Sequence, residues 1–181
     1  QSMFESIREF GRRIQNGGVG LFYYAGHGMQ VQGRNYLVPV DTDIKAEDEV
    51  EFQCIDADLV LRKMESASNR VNIVVLDACR NNPFARSFRS AARGLGQMDA
   101  ATGSILAYAT APGMVAADGE GDNGLYTEAL LNYIARPGLR IEQVFKSVRR
   151  DIVQGTGRAQ IPWESSSLTG EFYFVLPQTT A

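Results

Sequence analysis

The chain has 181 residues, a formal net charge of −3 and 44% apolar residues, enough for one domain with its own core. The mild acidity gives no reason to expect nucleic acid or an anionic membrane as partner, and no run approaches the ~20 apolar residues of a membrane-spanning helix. Two cysteines make no disulfide framework, and the sequence has no Cys/His metal spacing and no phosphate-binding loop.

The chain opens Gln-Ser-Met-Phe, which has no signal-peptide character. Apolar residues at 4, 7, 10 and 14 then predict an amphipathic helix over 3–15. A strand is predicted over 19–25, then a tight turn at the histidine, then a short extended piece at 35–39. Asp41 to Glu51 is an acidic connection with six carboxylates, read as a solvated loop in preference to a cation site. Apolar positions 55, 59, 60 and 64 predict a helix over 55–67, followed by strand 71–76. Strand 103–109 comes after a polar, arginine-bearing loop. A helix over 125–134 lies between Asn123-Gly124 and Pro137-Gly138. Apolar residues at 141, 144, 145, 148 and 152 predict a helix over 141–154, and the last strand is placed at 171–176. Strands alternating with helices imply an α/β domain whose mostly parallel sheet is covered on both faces.

The one histidine, His27, stands between two glycines at the end of the apolar run 21–28, and Cys79 ends the β-branched run 71–80. Two strands ending this way in a parallel sheet would bring His27 and Cys79 to one sheet edge, where open α/β sheets place their sites. A thiol near neutral pH needs a neighbouring base to become a good nucleophile, and imidazole is the usual one. Alone, such a histidine reads as a surface residue and such a cysteine as a small buried apolar side chain. Together, in matching context, they point to chemistry. Cys54, in an apolar neighbourhood with no histidine nearby, reads as structural.

Tyr-Ala-Gly-His-Gly followed about 50 residues later by Asp-Ala-Cys-Arg resembles the caspase-like cysteine peptidases: caspases, metacaspases, paracaspases and their bacterial relatives, the orthocaspases. Segments 35–41, 105–113 and 162–174 resemble, in order, the stretch after the histidine, the strand with its substrate-binding loop, and the final strand of bacterial members. The similarity covers about residues 5–175. It implies a three-layer α/β sandwich and a cysteine endopeptidase with a His27–Cys79 dyad, with Gly28 and Cys79 supplying backbone N–H groups to the oxyanion. It also implies that two strands and a helix usual before this point are missing, so the domain would be amino-terminally incomplete and its own amino-terminal segment would be a partner.

Asp77 lies two residues before Cys79, on the same strand face. By resemblance, glutamine there accompanies cleavage after aspartate, and aspartate there accompanies cleavage after arginine or lysine. A carboxylate can pair bidentately with a guanidinium and repels an acidic side chain. The partner expected is therefore a polypeptide with exposed Arg or Lys, met also by Ala109, Thr110 and Ala111 and, less firmly tied, by Asp118 in an acidic loop. Residues 84–98 form a linker in which Arg86, Arg89 and Arg93 match that specificity and offer autocleavage sites, or else form a solvated basic loop. Acids stand at 41, 43, 47, 48, 49 and 51, where calcium would have to bind; the spacing matches no EF-hand, and no obligatory metal is expected. A homo-oligomer stays open. Two other classes also stay open: a catalytically silent caspase-like interaction module, and a flavodoxin-like nucleotide-binding domain, which would lack its phosphate loop. Labelling with an arginyl electrophile, located on Cys79 by mass spectrometry, separates all three.

Overall fold

The computed structural model describes residues 2–15, 17–79, 95–111, 114 and 123–178, with backbone alone at Cys79. Its elements are α1 (Met3–Arg13), β1 (Val19–Val31), β2 (Arg34–Leu37), α2 (Val50–Gln53), β3 (Ile55–Asp56), α3 (Asp58–Ser66), β4 (Val71–Cys79), β5 (Ser104–Tyr108), α4 (Leu125–Ile134), α5 (Ile141–Gly155) and β6 (Trp163–Ser166). No helix among the described residues is long and apolar enough to cross a membrane.

The six strands form one sheet in the order β3-β2-β1-β4-β5-β6. The three central strands β1, β4 and β5 run parallel and carry the longest ladders. The β1–β2–β3 meander and the β6 edge are antiparallel. Alternation along β4 and β5 divides the core in two. Ile73, Val75, Ile105 and Ala107 face α4 and α5, against Tyr126, Leu130, Val144, Phe145 and Val148. Val74, Leu76, Leu106 and Tyr108 face α1 and α3, against Ile7, Val60, Leu61 and Met64. Burial on both faces explains why the strand at 71–76 reads as a continuous apolar run. The expected caspase-like sandwich, with helices on both faces of a mostly parallel sheet, is what the chain forms.

Several boundaries differ from the sequence expectation, three of them for reasons the pairing shows. β1 does not end at the histidine; it runs through His27 to Val31 and turns back through Gln32-Gly33 into β2. The reason is a change of partner: β1 pairs with β4 up to His27 and with β2 from Gly28 onward. The helix predicted from 55 starts at Asp58, because Ile55 and Asp56 pair with Leu37 and Tyr36. The last strand is β6, not 171–176. Residues 163–166 take the free edge of β5, and Ser167 extends the match by giving its N–H to the Ser104 carbonyl at 2.8 Å. With that edge filled, 171–176 folds onto the start of α5: the Phe172 carbonyl accepts from Ile141 N–H at 2.9 Å, and Phe172 and Phe174 pack against the core.

Leu106, fully buried in the centre of the sheet, tests this arrangement. Leu106→Ala should cost about 2–5 kcal/mol of unfolding free energy, read from the shift of a denaturant midpoint. A loss below about 1 kcal/mol would place Leu106 outside a close-packed core.

Candidate active site

β1 and β4 lie in register from Val19 opposite Val71 to His27 opposite Cys79. Adjacent strands run about 4.8 Å apart, so the histidine and the cysteine occupy neighbouring positions at the carboxyl edge of the central sheet. The His27 side chain is exposed and borders a groove of about 550 Å³ that passes Ala25, Val38 and the 39–42 stretch.

The backbone at His27 is held from one side by Tyr24. The hydroxyl proton of Tyr24 is shared between the carbonyl oxygens of His27 (2.6 Å) and Val38 (2.9 Å), and its oxygen accepts from Val38 N–H at 3.2 Å. Burial pushes this phenol up to about 12, so it keeps its proton. The His27 carbonyl also accepts from Val38 N–H at 3.0 Å, which points that carbonyl toward β2. In a trans peptide the following N–H points the opposite way. The Gly28 N–H is therefore aimed at the β4 side, where Cys79 ends.

The two glycines around His27 have packing reasons that the sequence did not reveal. A Cβ at Gly26 would stand 2.7 Å from the Tyr24 hydroxyl, and one at Gly28 would stand 2.9 Å from Leu95 Cδ2 and 3.1 Å from Ala78 Cβ. Leu95 is buried, and the next residue is pinned: Gly96 gives its N–H to Asn35 Oδ1 (2.7 Å), and its carbonyl accepts from Asn35 Nδ2 (2.9 Å). Leu95 thus lies against Gly28, the residue after the histidine, and near Ala78, the residue before Cys79.

Asp77 is buried at 7% exposure, a costly place for a carboxylate unless it is hydrogen-bonded. Thr127, in the first turn of α4, donates its hydroxyl to Asp77 Oδ2 at 2.5 Å, and Tyr23 Oη lies 2.5 Å from the Thr127 oxygen. A Cβ on Gly124, the cap of α4, would come within 3.4 Å of the same carboxylate oxygen. The positive end of a helix lowers the cost of an anion held there. Neither Thr127 nor Tyr23 carries a motif; only contacts across 50 and 104 residues of sequence reveal them. Ala109 and Thr110 are buried, with Gln160 Nε2 donating to the Ala109 carbonyl at 2.7 Å and Ala109 N–H bonded to the Leu76 carbonyl at 3.1 Å. This fixes the start of the 109–111 stretch one residue from Asp77; Ala111 itself is half-exposed. Arg86, Arg89, Arg93 and Asp118 lie outside the described residues.

The acids between 41 and 51 do not converge. Asp43 pairs with Lys45, and Glu49 accepts from Lys45 N–H and Gln53. Among the described residues no three His, Cys, Asp or Glu side chains gather as a metal site. Across the 39–42 loop lies a second cavity of about 600 Å³ that touches Cys54, unanticipated from the sequence.

A sheet of this topology, with a histidine and a cysteine paired at its carboxyl edge and a buried aspartate two residues earlier, defines a caspase-like α/β domain. The family model for the caspase domain matches residues 1–173, and the chain belongs to that family of peptidases. It is also 33% identical over 78 residues to the mucosa-associated lymphoid tissue lymphoma translocation protein 1 of Homo sapiens and to its homolog in Mus musculus. That match covers 43% of this chain and 9% of each relative.

Cys54 is buried among Met29, Tyr36, Ile44 and Val50, and burial pushes its thiol up to about 11. Thiolate, the reactive form, is then scarce at Cys54 below pH 9. Iodoacetamide at pH 8 should leave Cys54 of the folded protein unmodified and label it after denaturation, as peptide mass spectrometry would show. Rapid labelling of the native protein at Cys54 would contradict its burial.

Proposed function

We propose that this domain is a cysteine endopeptidase that cuts after basic residues, Arg before Lys, using Cys79 as nucleophile and His27 as its base. The observation that carries this is the pairing of His27 with Cys79 at the end of the central ladder. His27 takes the thiol proton, and the sulfur of Cys79 adds to the scissile carbonyl. The N–H groups of Gly28 and Cys79 receive the developing oxyanion. The protonated imidazole gives its proton to the departing amine, leaving a thioester on Cys79. Water, deprotonated by His27, then adds to the thioester carbonyl, and expulsion of the sulfur returns the free enzyme. No metal enters these steps.

The buried carboxylate of Asp77 supports a basic substrate side chain on the acyl side of the cut, since a guanidinium can pair with both oxygens. The aspartate two residues before Cys79 supports a metacaspase-like, orthocaspase-like specificity. An amino-terminal segment fits the other side of β1. Among the described residues no strand pairs with that edge between Val19 and Gly26, and Val19, Leu21 and Tyr23 are exposed beside it. We take that edge as the place where further chain completes the sheet.

Cys79→Ala and His27→Ala should each abolish cleavage of a fluorogenic arginyl peptide, while Cys54→Ala retains most of it. Asp77→Asn should lower kcat/KM on the arginyl peptide by tens-fold or more, the cost of losing a desolvated charge pair being ~2–5 kcal/mol. Full activity of Cys79→Ala, or equal cleavage of aspartyl and arginyl peptides by the unsubstituted protein, would refute the assignment.

Processing is the second outcome to check. Incubated active protein should acquire new termini after Arg86, Arg89 or Arg93, while Cys79→Ala protein stays whole. Normal activity in an uncleavable Arg86→Ala/Arg89→Ala/Arg93→Ala protein would make such cleavage incidental to activation.

A further inference from the structure

We propose that Thr127 and Tyr23 are positioning residues that lock the carboxylate plane of Asp77 and so set the preference for arginine over lysine. This rests on Asp77 being the base of the pocket for the basic side chain. The torsion that turns an aspartate carboxylate about its last bond is broad when nothing restrains it. Here one oxygen is held by the Thr127 hydroxyl.

The proton order along the chain follows from counting donors. A threonine hydroxyl has one proton, and Thr127 spends it on Asp77 Oδ2. The Tyr23 hydroxyl must then donate to Thr127, making a one-way relay Tyr23→Thr127→Asp77. Burial and the negative charge of Asp77 raise the phenol of Tyr23 above its ordinary value, so the relay keeps its terminal proton at working pH.

The anchor of the relay is rigid. α4 presents Tyr126, Ala129 and Leu130 to the core beneath β4 and β5, all buried. Thr127 sits between them at the helix start, with Gly124 against the same carboxylate oxygen. A binding group held by a packed helix keeps its orientation more closely than one carried on a loop.

Orientation matters unequally to the two basic side chains. A guanidinium is planar and binds a carboxylate through two parallel bonds, so it needs the carboxylate plane aligned with its own. An ammonium is a compact charge with rotating donors and tolerates a turned carboxylate. Removing the relay should therefore weaken arginine recognition selectively.

The test compares two peptides that differ only in Arg or Lys before the cut, assayed with the whole chain. Thr127→Val should lower kcat/KM about tenfold on the arginyl peptide and about twofold or less on the lysyl peptide, the size of one lost hydrogen bond to a charged group. Thr127→Ser, which keeps the hydroxyl, should restore the ratio to within about twofold. Tyr23→Phe, at a position 41% exposed, should move the ratio the same way and carries the test alone if Thr127→Val lowers the melting temperature. An equal loss on both peptides in Thr127→Val and Tyr23→Phe, or an unchanged ratio in both, overturns the positioning role while leaving Asp77 in place. An unsubstituted protein with no preference for basic residues overturns both the pocket and the relay.

Discussion

The in-register ladder between β1 and β4 is the constraint on which everything else here depends. Side chains on a strand alternate, so a slip of one residue would turn every side chain of β1 to the opposite layer and set His27 beside Ala78. The register is fixed at its start by close contact. A side chain on Gly20 would come within 2.9 Å of Asn69 Nδ2 and 3.2 Å of Asn72 Oδ1, which are themselves bonded at 2.9 Å. The Gly18 carbonyl accepts from Arg70 N–H at 3.0 Å at the same end. Fixing the bottom of two parallel strands fixes their tops, and the tops are His27 and Cys79.

The second requirement is met where β1 changes partner. Pairing with β4 ends at His27, and pairing with β2 begins at Gly28. A strand that simply stopped at the histidine would leave that residue on a free loop. Continuing into the β2 hairpin holds it from the far side, through Tyr24 and Val38, while turning the Gly28 N–H toward the cysteine strand. The same continuation lets Asn35 of β2 capture Gly96, tying the re-entry of the chain after Cys79 to the strand that carries the histidine. Several sequence-distant segments are thereby fastened to one short stretch of backbone.

The apolar periodicities at 3–15, 125–134 and 141–154 placed three helices well, because each turns one apolar stripe to a sheet face and that stripe dominates the local pattern. The strands carrying His27 and Cys79 were legible because both are runs with little polar interruption: β4 is buried on both faces, while β1 keeps apolar residues even at its exposed positions Val19, Leu21 and Tyr23. β6 was not legible. Its residues Trp163, Glu164, Ser165 and Ser166 are half-buried or exposed at a sheet edge, so backbone pairing, not side-chain pattern, defines it. The aromatic run 172–174 looked more strand-like but was claimed by α5. At the site, the glycines flanking His27 suggested a turn, whereas they answer to Tyr24, Leu95 and Ala78. Thr127 and Tyr23 were invisible because a hydrogen bond between distant positions leaves no local signature.

The sequence between Arg13 and Arg34 contains no formally charged side chain, His27 aside. Within it lies Val-Gly-Leu-Phe-Tyr-Tyr-Ala, without proline, along the strand edge that no described neighbour covers. Natural edge strands usually carry a lysine, a proline or a bulge that discourages pairing with foreign chains. This one carries none of them, and its composition is that of segments prone to stack into cross-β assemblies. The strand that delivers the histidine thus also presents an edge suited to pairing with foreign chains. Concentration would govern whether the chain stays dispersed or collects edge to edge.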